Sequence, residues 1–229
     1  EHFADMTAWM DKMVGRVDAK LAELGIRDNT LLVFLGDNGT QGTVTSRFRG
    51  ADYRGGKGTT TRHGTHVPCI ASWPAVIKTG QVNQDLVSSV DLLPTICAAA
   101  GVSLPENIDG VSFLPQLRGE SGTPRQWLYS WYSPRQRADL TVREFAFDHH
   151  YKLYRDGRFF DLATDPDEKS PLAVAQLKGD VTVAARKLQS VLERFQDARP
   201  AELDRRLEKS LKSPPSSPAD DAAKRASPR

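Results

Sequence analysis

From Phe3 to Leu24 the apolar residues Met6, Met10, Met13, Val14, Val17, Leu21 and Leu24 return at intervals of three and four, which is one face of an amphipathic helix. Gly25 supplies its stop. After the turn Arg27-Asp28-Asn29, the run from Thr30 to Leu35 (Thr-Leu-Leu-Val-Phe-Leu) is apolar without alternation, the pattern of a strand covered on both faces in a parallel sheet. Helix, tight turn and buried strand in succession predict α/β layering. Residues 36–66, rich in Gly, Thr and Arg, read as one long surface loop. A strand over 68–73 follows, then a helix from about Asp91 to Ala100 with Pro94 in its first turn and Gly101 at its end. Residues 105–118 read as loop with a short helical turn.

Past residue 125 the pattern changes to short strands at 127–132, 142–147, 151–154 and 158–162, the last two joined through the hairpin dipeptide Asp156-Gly157. Val181, Ala185, Leu188, Leu192 and Phe195 then form the stripe of a helix able to cover that sheet. The fold class is therefore α/β: part of a mixed, mostly parallel sheet flanked by helices over 1–124, then a small antiparallel sheet plus helix, an α+β unit, over 125–198. Residues 199–229 read as a flexible low-complexity tail, with Leu203, Leu207 and Leu211 as a weak helical signal.

Composition narrows the function. Of 229 residues 39% are hydrophobic and 26% charged, the balance of a globular protein with a real core. The formal charge of +2 is carried by the last 32 residues, so the basic balance does not argue for nucleic acid. Cys69 and Cys97 stand among apolar neighbours without metal-ligand spacing and read as two core thiols. No stretch has the apolar length of a membrane span. The first residue, Glu1, lies at the edge of a helical pattern, which reads as a cut chain.

Gly36-Asp37-Asn38-Gly39 follows the buried strand directly, and ligands of open α/β sheets collect at the carboxyl ends of strands. An Asp carboxylate beside an Asn carbonyl offers two hard oxygen donors suited to calcium or magnesium; the same tetrapeptide also serves as a simple turn. Downstream, Lys57 sits among glycines in Arg54-Gly55-Gly56-Lys57-Gly58-Thr59-Thr60, a natural oxyanion contact, although the spacing of a phosphate-binding P-loop is absent. His63-Gly64-Thr65-His66-Val67-Pro68 comes next.

In this order the chain resembles the sulfatase family of the alkaline phosphatase superfamily. The resemblance runs through "TLLVFLGDNG", "GGKGTTTRHGTHVPCIASWPAVIKTGQV", "SSVDLLPTICAAAGVSLPENIDGVSFLPQLRG" and "YKLYRDGRFFDLATDPDEKSPL" and covers roughly residues 3–195. It implies that Asp37 and Asn38 hold a Ca2+ or Mg2+ ion and that Lys57 is catalytic, touching the sulfate oxygens and offsetting charge as the ester bond breaks. His66 stands where many sulfatases have arginine, which leaves both a substrate-binding and a structural role open. It also implies a sulfated small molecule or polysaccharide as substrate and a periplasmic or secreted location.

The same resemblance implies a formylglycine nucleophile made from Cys or Ser in a C/S-x-P-x-R motif, and the chain has no such motif. Also absent are an early Asp-Asp pair and upstream Lys and His residues, all from the family's amino-terminal part. The chain thus reads as the carboxy-terminal part of a sulfatase, inactive alone. Two alternatives stay open: a phosphodiesterase or phosphonate hydrolase of the same superfamily, and a non-catalytic anion-binding module.

Among lesser features, adjacent His149 and His150 point to opposite faces of an extended segment and read as structural or surface residues. Trp127, Tyr129 and Trp131 alternate onto one face, usually a core stripe. Arg47, Arg49, Arg54, Arg135 and Arg137 read as solvated charge.

Overall fold

The computed structural model describes residues 2–134 and 141–205. Arg135, Arg137 and the tail from residue 206 lie outside the described residues. Helix α1 (His2–Glu23) runs the length the apolar spacing predicts. The described residues leave much of its apolar face uncovered: Met6 is 70% and Trp9 61% exposed. Arg27 joins the helix to the strands that follow, bonding Asp18, the Thr30 carbonyl at 3.1 Å and the Ser72 hydroxyl at 2.5 Å.

Strand β1 (Leu32–Leu35) pairs antiparallel with β4 (Cys69–Ser72), Leu32 opposite Ser72 and Leu35 opposite Cys69. Thr30–Leu35 has the all-apolar pattern of a central strand, yet β1 is only half-buried, because β4 is its one strand neighbour among the described residues. For the same reason Cys69 is exposed rather than a core thiol, and Ile70 beside it is 60% exposed. Cys97 is buried as expected.

The segment 36–66 is not a plain loop. It contains the hairpin β2 (Thr45–Phe48) and β3 (Ala51–Arg54) and the single-turn helix α2 (Arg62–Thr65). Arg49 and Gly50 both take positive φ at the hairpin turn, the geometry that matches the twist of paired strands. Helix α3 (Leu92–Ala100) ends at Gly101 in the left-handed conformation, and the short α4 (Leu114–Leu117) packs against it.

The best-formed core lies in the sheet β5 (Leu128–Tyr132), β6 (Arg143–Phe147), β7 (Tyr151–Tyr154) and β8 (Phe159–Asp161), an antiparallel meander. Gly157 takes positive φ in the β7–β8 turn, as Asp-Gly predicts. Period-two alternation gives the sheet two apolar faces. On one, Ala146, Leu153 and Phe159 pack against Ala185, Leu188, Val191 and Leu192 of α5 (Asp180–Arg194), the stripe read from the sequence. Trp127 and Tyr129 close this core against Phe195, whereas Trp131 is exposed. On the other face Phe145, Tyr154 and Phe160 cluster.

Two buried carboxylates brace the α5 side. Glu144 accepts from Arg155 at 2.5 Å, Tyr129 at 2.8 Å and Arg199 at 3.0 Å, and Asp148 accepts from Lys187 at 2.5 Å and two backbone amides. Burial pushes both carboxyls up, but these hydrogen bonds outweigh it and hold both below their ordinary values of 4.5 and 3.8. Both therefore stay charged to lower pH in the folded chain than in the unfolded one. Their stabilisation is complete above the unfolded values and is lost as pH falls through the lowered folded ones. The melting temperature is accordingly expected to drop between about pH 5 and pH 3; calorimetry finding it flat over that range would contradict this account.

Candidate metal and anion site

Two segments distant in sequence meet just past β1. Gly39 N–H donates to the Gly64 carbonyl at 3.0 Å, and Lys57 N–H donates to the Thr40 carbonyl at 2.9 Å. Glycine is required at this crossing: a Cβ added at Gly39 would overlap the His63 carbonyl, and one at Gly64 would overlap the Thr59 carbonyl. The sequence therefore folds 36–40 and 55–64 backbone to backbone, which no side chain of ordinary size would permit.

Asp37 is exposed and Asn38 half-buried, with the Asn38 amide donating to the Asp37 carboxylate at 2.5 Å. The Asn38 carbonyl oxygen and the second Asp37 oxygen are left outside that hydrogen bond and are hard donors of the type calcium and magnesium take, calcium with six to eight oxygens. Among the described residues no cluster of three or more His, Cys, Asp or Glu side chains could hold a metal ion, so these two would supply part of a shell and not all of it. Lys57 is exposed at the surface of its glycine segment.

His66 follows α2 and is exposed. With Arg62, His149, Lys152 and Glu168 it lines an open cleft of about 720 Å³ between this region and the carboxy-terminal sheet. Asp37, Asn38 and Lys57 are not among the residues lining that cleft, so the cleft and the oxygen-donor site are different places. The structure thus brings 37, 38 and 57 into one folded segment, and of the four residues read from the sequence only His66 lines the cleft, although its neighbours Gly64 and Pro68 bond Gly39 and Gly36.

Sequence reading missed the residues that fasten this segment. Thr60 is buried, its hydroxyl 2.8 Å from that of Tyr154, and its carbonyl accepts from Lys152 at 2.5 Å. Lys152 and Tyr154 converge on one carboxylate, Glu168, at 2.8 and 2.5 Å. Burial pulls the Lys152 ammonium down to about 8 against the pull of Glu168, and pushes the Tyr154 phenol up. His63 lies between the Arg54 carbonyl and the Asp167 carboxylate, 2.9 Å from each, with its ring on Tyr53. Hydrogen bonds from His63 and then Lys169 hold the Asp167 carboxyl below its ordinary value. The one sequence signal for these contacts was an ionisable Lys152 within an otherwise apolar strand pattern.

Comparison with known proteins follows the same outline. The sulfatase family model matches residues 1–102, and the model for the carboxy-terminal part of N-sulphoglucosamine sulphohydrolase matches 58–197. Human arylsulfatase A is 37% identical over 168 residues, covering 72% of this chain and 33% of that protein. Human N-acetylgalactosamine-6-sulfatase is 29% identical over 230 residues, covering 86% of this chain and 43% of that protein. The chain therefore spans well under half the length of these relatives. Among solved structures, a protein in complex with its substrate D-glucosamine-2-N,6-O-disulfate superposes with a TM-score of 0.65 at 24% identity, over 83% of this chain and 39% of that one. A phosphonate monoester hydrolase from Silicibacter pomeroyi gives 0.62 at 26% identity, over 84% of this chain and 40% of that one. Since the two family models between them take in every element from α1 through α5, the chain belongs to the sulfatase family.

Proposed function

We propose that this chain is the carboxy-terminal part of an enzyme that hydrolyses a sulfate ester, and that it supplies Asp37 and Asn38 as metal ligands and Lys57 as the contact to the sulfate oxygens. The observation that carries this reading is the backbone crossing of 36–40 with 55–64, which supports convergence of the two donor oxygens and the lysine on one pocket. A bound divalent cation would polarise the ester and neutralise charge on its oxygens. Asp37 and Asn38 orient that cation, and Lys57 offers up to three N–H donors to the oxygens that gain charge as the bond to the leaving group breaks. His66 stands farther along the chain, on the cleft wall, where it contacts the remainder of a substrate.

The names of the relatives support a sulfated sugar, since N-acetylgalactosamine-6-sulfatase and the N-acetylglucosamine-6-O-sulfatase of Bacteroides thetaiotaomicron both align over more than two thirds of this chain. A periplasmic or secreted location belongs to the same proposal; no helix among the described residues is long and apolar enough to cross a membrane. The attacking group is not among these residues, since no Cys or Ser of the chain stands in C/S-x-P-x-R. The 229-residue chain alone is accordingly expected to release no chromophore from 4-nitrophenyl sulfate with calcium or magnesium present, and robust turnover would overturn the division of labour proposed here.

Phosphonate ester hydrolysis is the second reading, favoured by the likeness to the Silicibacter pomeroyi enzyme. A metal and a lysine clamp a phosphoryl group as readily as a sulfuryl group, so the rate ratio between an aryl sulfate and a phenyl phosphonate, measured on a protein carrying an upstream segment, decides between them.

A further inference from the structure

The loop that carries Lys57 is fastened at two points to the carboxy-terminal unit, and both fastenings are polar, the first buried and the second half-exposed. At the first, the Thr60 carbonyl and hydroxyl meet Lys152 and Tyr154. Both of those residues bond Glu168, whose side chain is 5% exposed. The Lys152 ammonium also lies 4.0 Å from the Phe145 ring centre. At the second, His63 bridges the Arg54 carbonyl and Asp167. Burying an ammonium and a carboxylate is costly, and well-packed apolar residues of the same volume would stabilise the sheet at least as well. What an apolar cluster would not provide is direction: the ammonium and the phenol fix both the carbonyl and the hydroxyl of one particular loop residue, Thr60. Glu168 itself takes a positive φ of 58°, a strained conformation for a residue with a side chain, and that conformation belongs to the turn that brings its carboxylate to Lys152 and Tyr154.

We propose that Glu168, Lys152 and Tyr154, acting through Thr60, are positioning residues that hold the Lys57 segment in register against the 36–40 turn. This rests on the reading of Lys57 as the lysine that touches the sulfate, because a site built on a loop must be held to within about half an ångström by the residues behind it. The anchoring itself is a property of the chain with or without that chemistry.

Hydrogen exchange read residue by residue on the full 229-residue chain tests it, with Tyr154→Phe and Thr60→Val as two variants that each remove one hydroxyl at little change in volume. The informative amides are Lys57, Thr59 and Gly64, each bonded to a loop carbonyl, against those of β6 and α5 as reference. Exchange at the three loop amides is expected to rise at least about tenfold in both variants while β6 and α5 are unchanged, since local opening is separable from global unfolding. Unchanged loop exchange would overturn the proposal. So would a uniform rise across loop, sheet and helix, or failure of both variants to fold, because either outcome marks a core role instead of a positioning one. The readout needs neither metal nor turnover, so it fails separately from the sulfatase reading: full activity in Lys57→Ala would remove the chemistry assigned to Lys57 and leave the loop-amide result to stand on its own.

Discussion

Asp91→Ala is expected to lower the unfolding free energy by about 3–5 kcal/mol, the loss found when one partner of a buried ion pair is deleted. Asp91 is 1% exposed and receives Arg125 through Nε at 2.9 and 2.8 Å and through Nη2 at 2.5 Å. The same carboxylate accepts from the backbone of Ser88 at 2.8 Å and of Val111 at 2.7 Å, so it closes the first turn before α3 and ties the 109–113 segment to it. Thr95 extends the network, donating to the Asp91 carbonyl at 2.6 Å and accepting from Phe113 N–H at 3.0 Å. Alanine would leave a guanidinium that is 9% exposed with the Asp109 carbonyl as its remaining bond here, and would orphan two amides. Urea titration reads the effect as a shifted midpoint at constant slope. A loss below about 1 kcal/mol, the range of an exposed pair, would show that the pair is not buried in solution.

What the sequence disclosed, and what it withheld, divides by range. The Asp156-Gly157 hairpin, the Gly101 stop and the α5 stripe were legible because a turn residue or a period of three to four is a local signal. The hairpin of β2 and β3 was not, since Thr45–Phe48 and Ala51–Arg54 are exposed along nearly their whole length and four residues each are too few for a periodic signal to stand out. The apolar neighbours of Cys69 suggested a core thiol, but a strand's composition records what could cover it and not what does. The site showed the same division. The donor types at 37, 38 and 57 could be read one residue at a time, and family resemblance ordered them. The fastenings could not, because Asp91 with Arg125, Thr60 with Tyr154 and His63 with Asp167 are 34, 94 and 104 residues apart and no periodicity connects them.

The second large effect concerns Lys57. Its segment is held to the 36–40 turn through the Thr40 carbonyl and braced from behind at Thr60, so its backbone is fixed from both sides by bonds that do not involve its side chain. In a protein that carries an upstream segment with a C/S-x-P-x-R motif, Lys57→Ala is expected to lower kcat by about 10²–10³-fold, the range for loss of one preorganised donor to a developing oxyanion. KM should change far less, because the interaction strengthens as charge develops. Lys57→Arg restores the charge but not the compact geometry, and partial rescue at most is expected. Calcium binding, read by calorimetry, is expected to separate the two halves of the proposed site, lost in Asp37→Ala and retained in Lys57→Ala.

The most direct measurement is therefore the steady-state hydrolysis of 4-nitrophenyl sulfate by that longer protein and its Lys57→Ala variant, at saturating calcium. The account predicts a fall in kcat of about two to three orders of magnitude with the metal still bound. A variant that turns over at the parent rate would place the lysine outside the reacting group's reach and contradict the convergence of positions 37, 38 and 57 on one pocket.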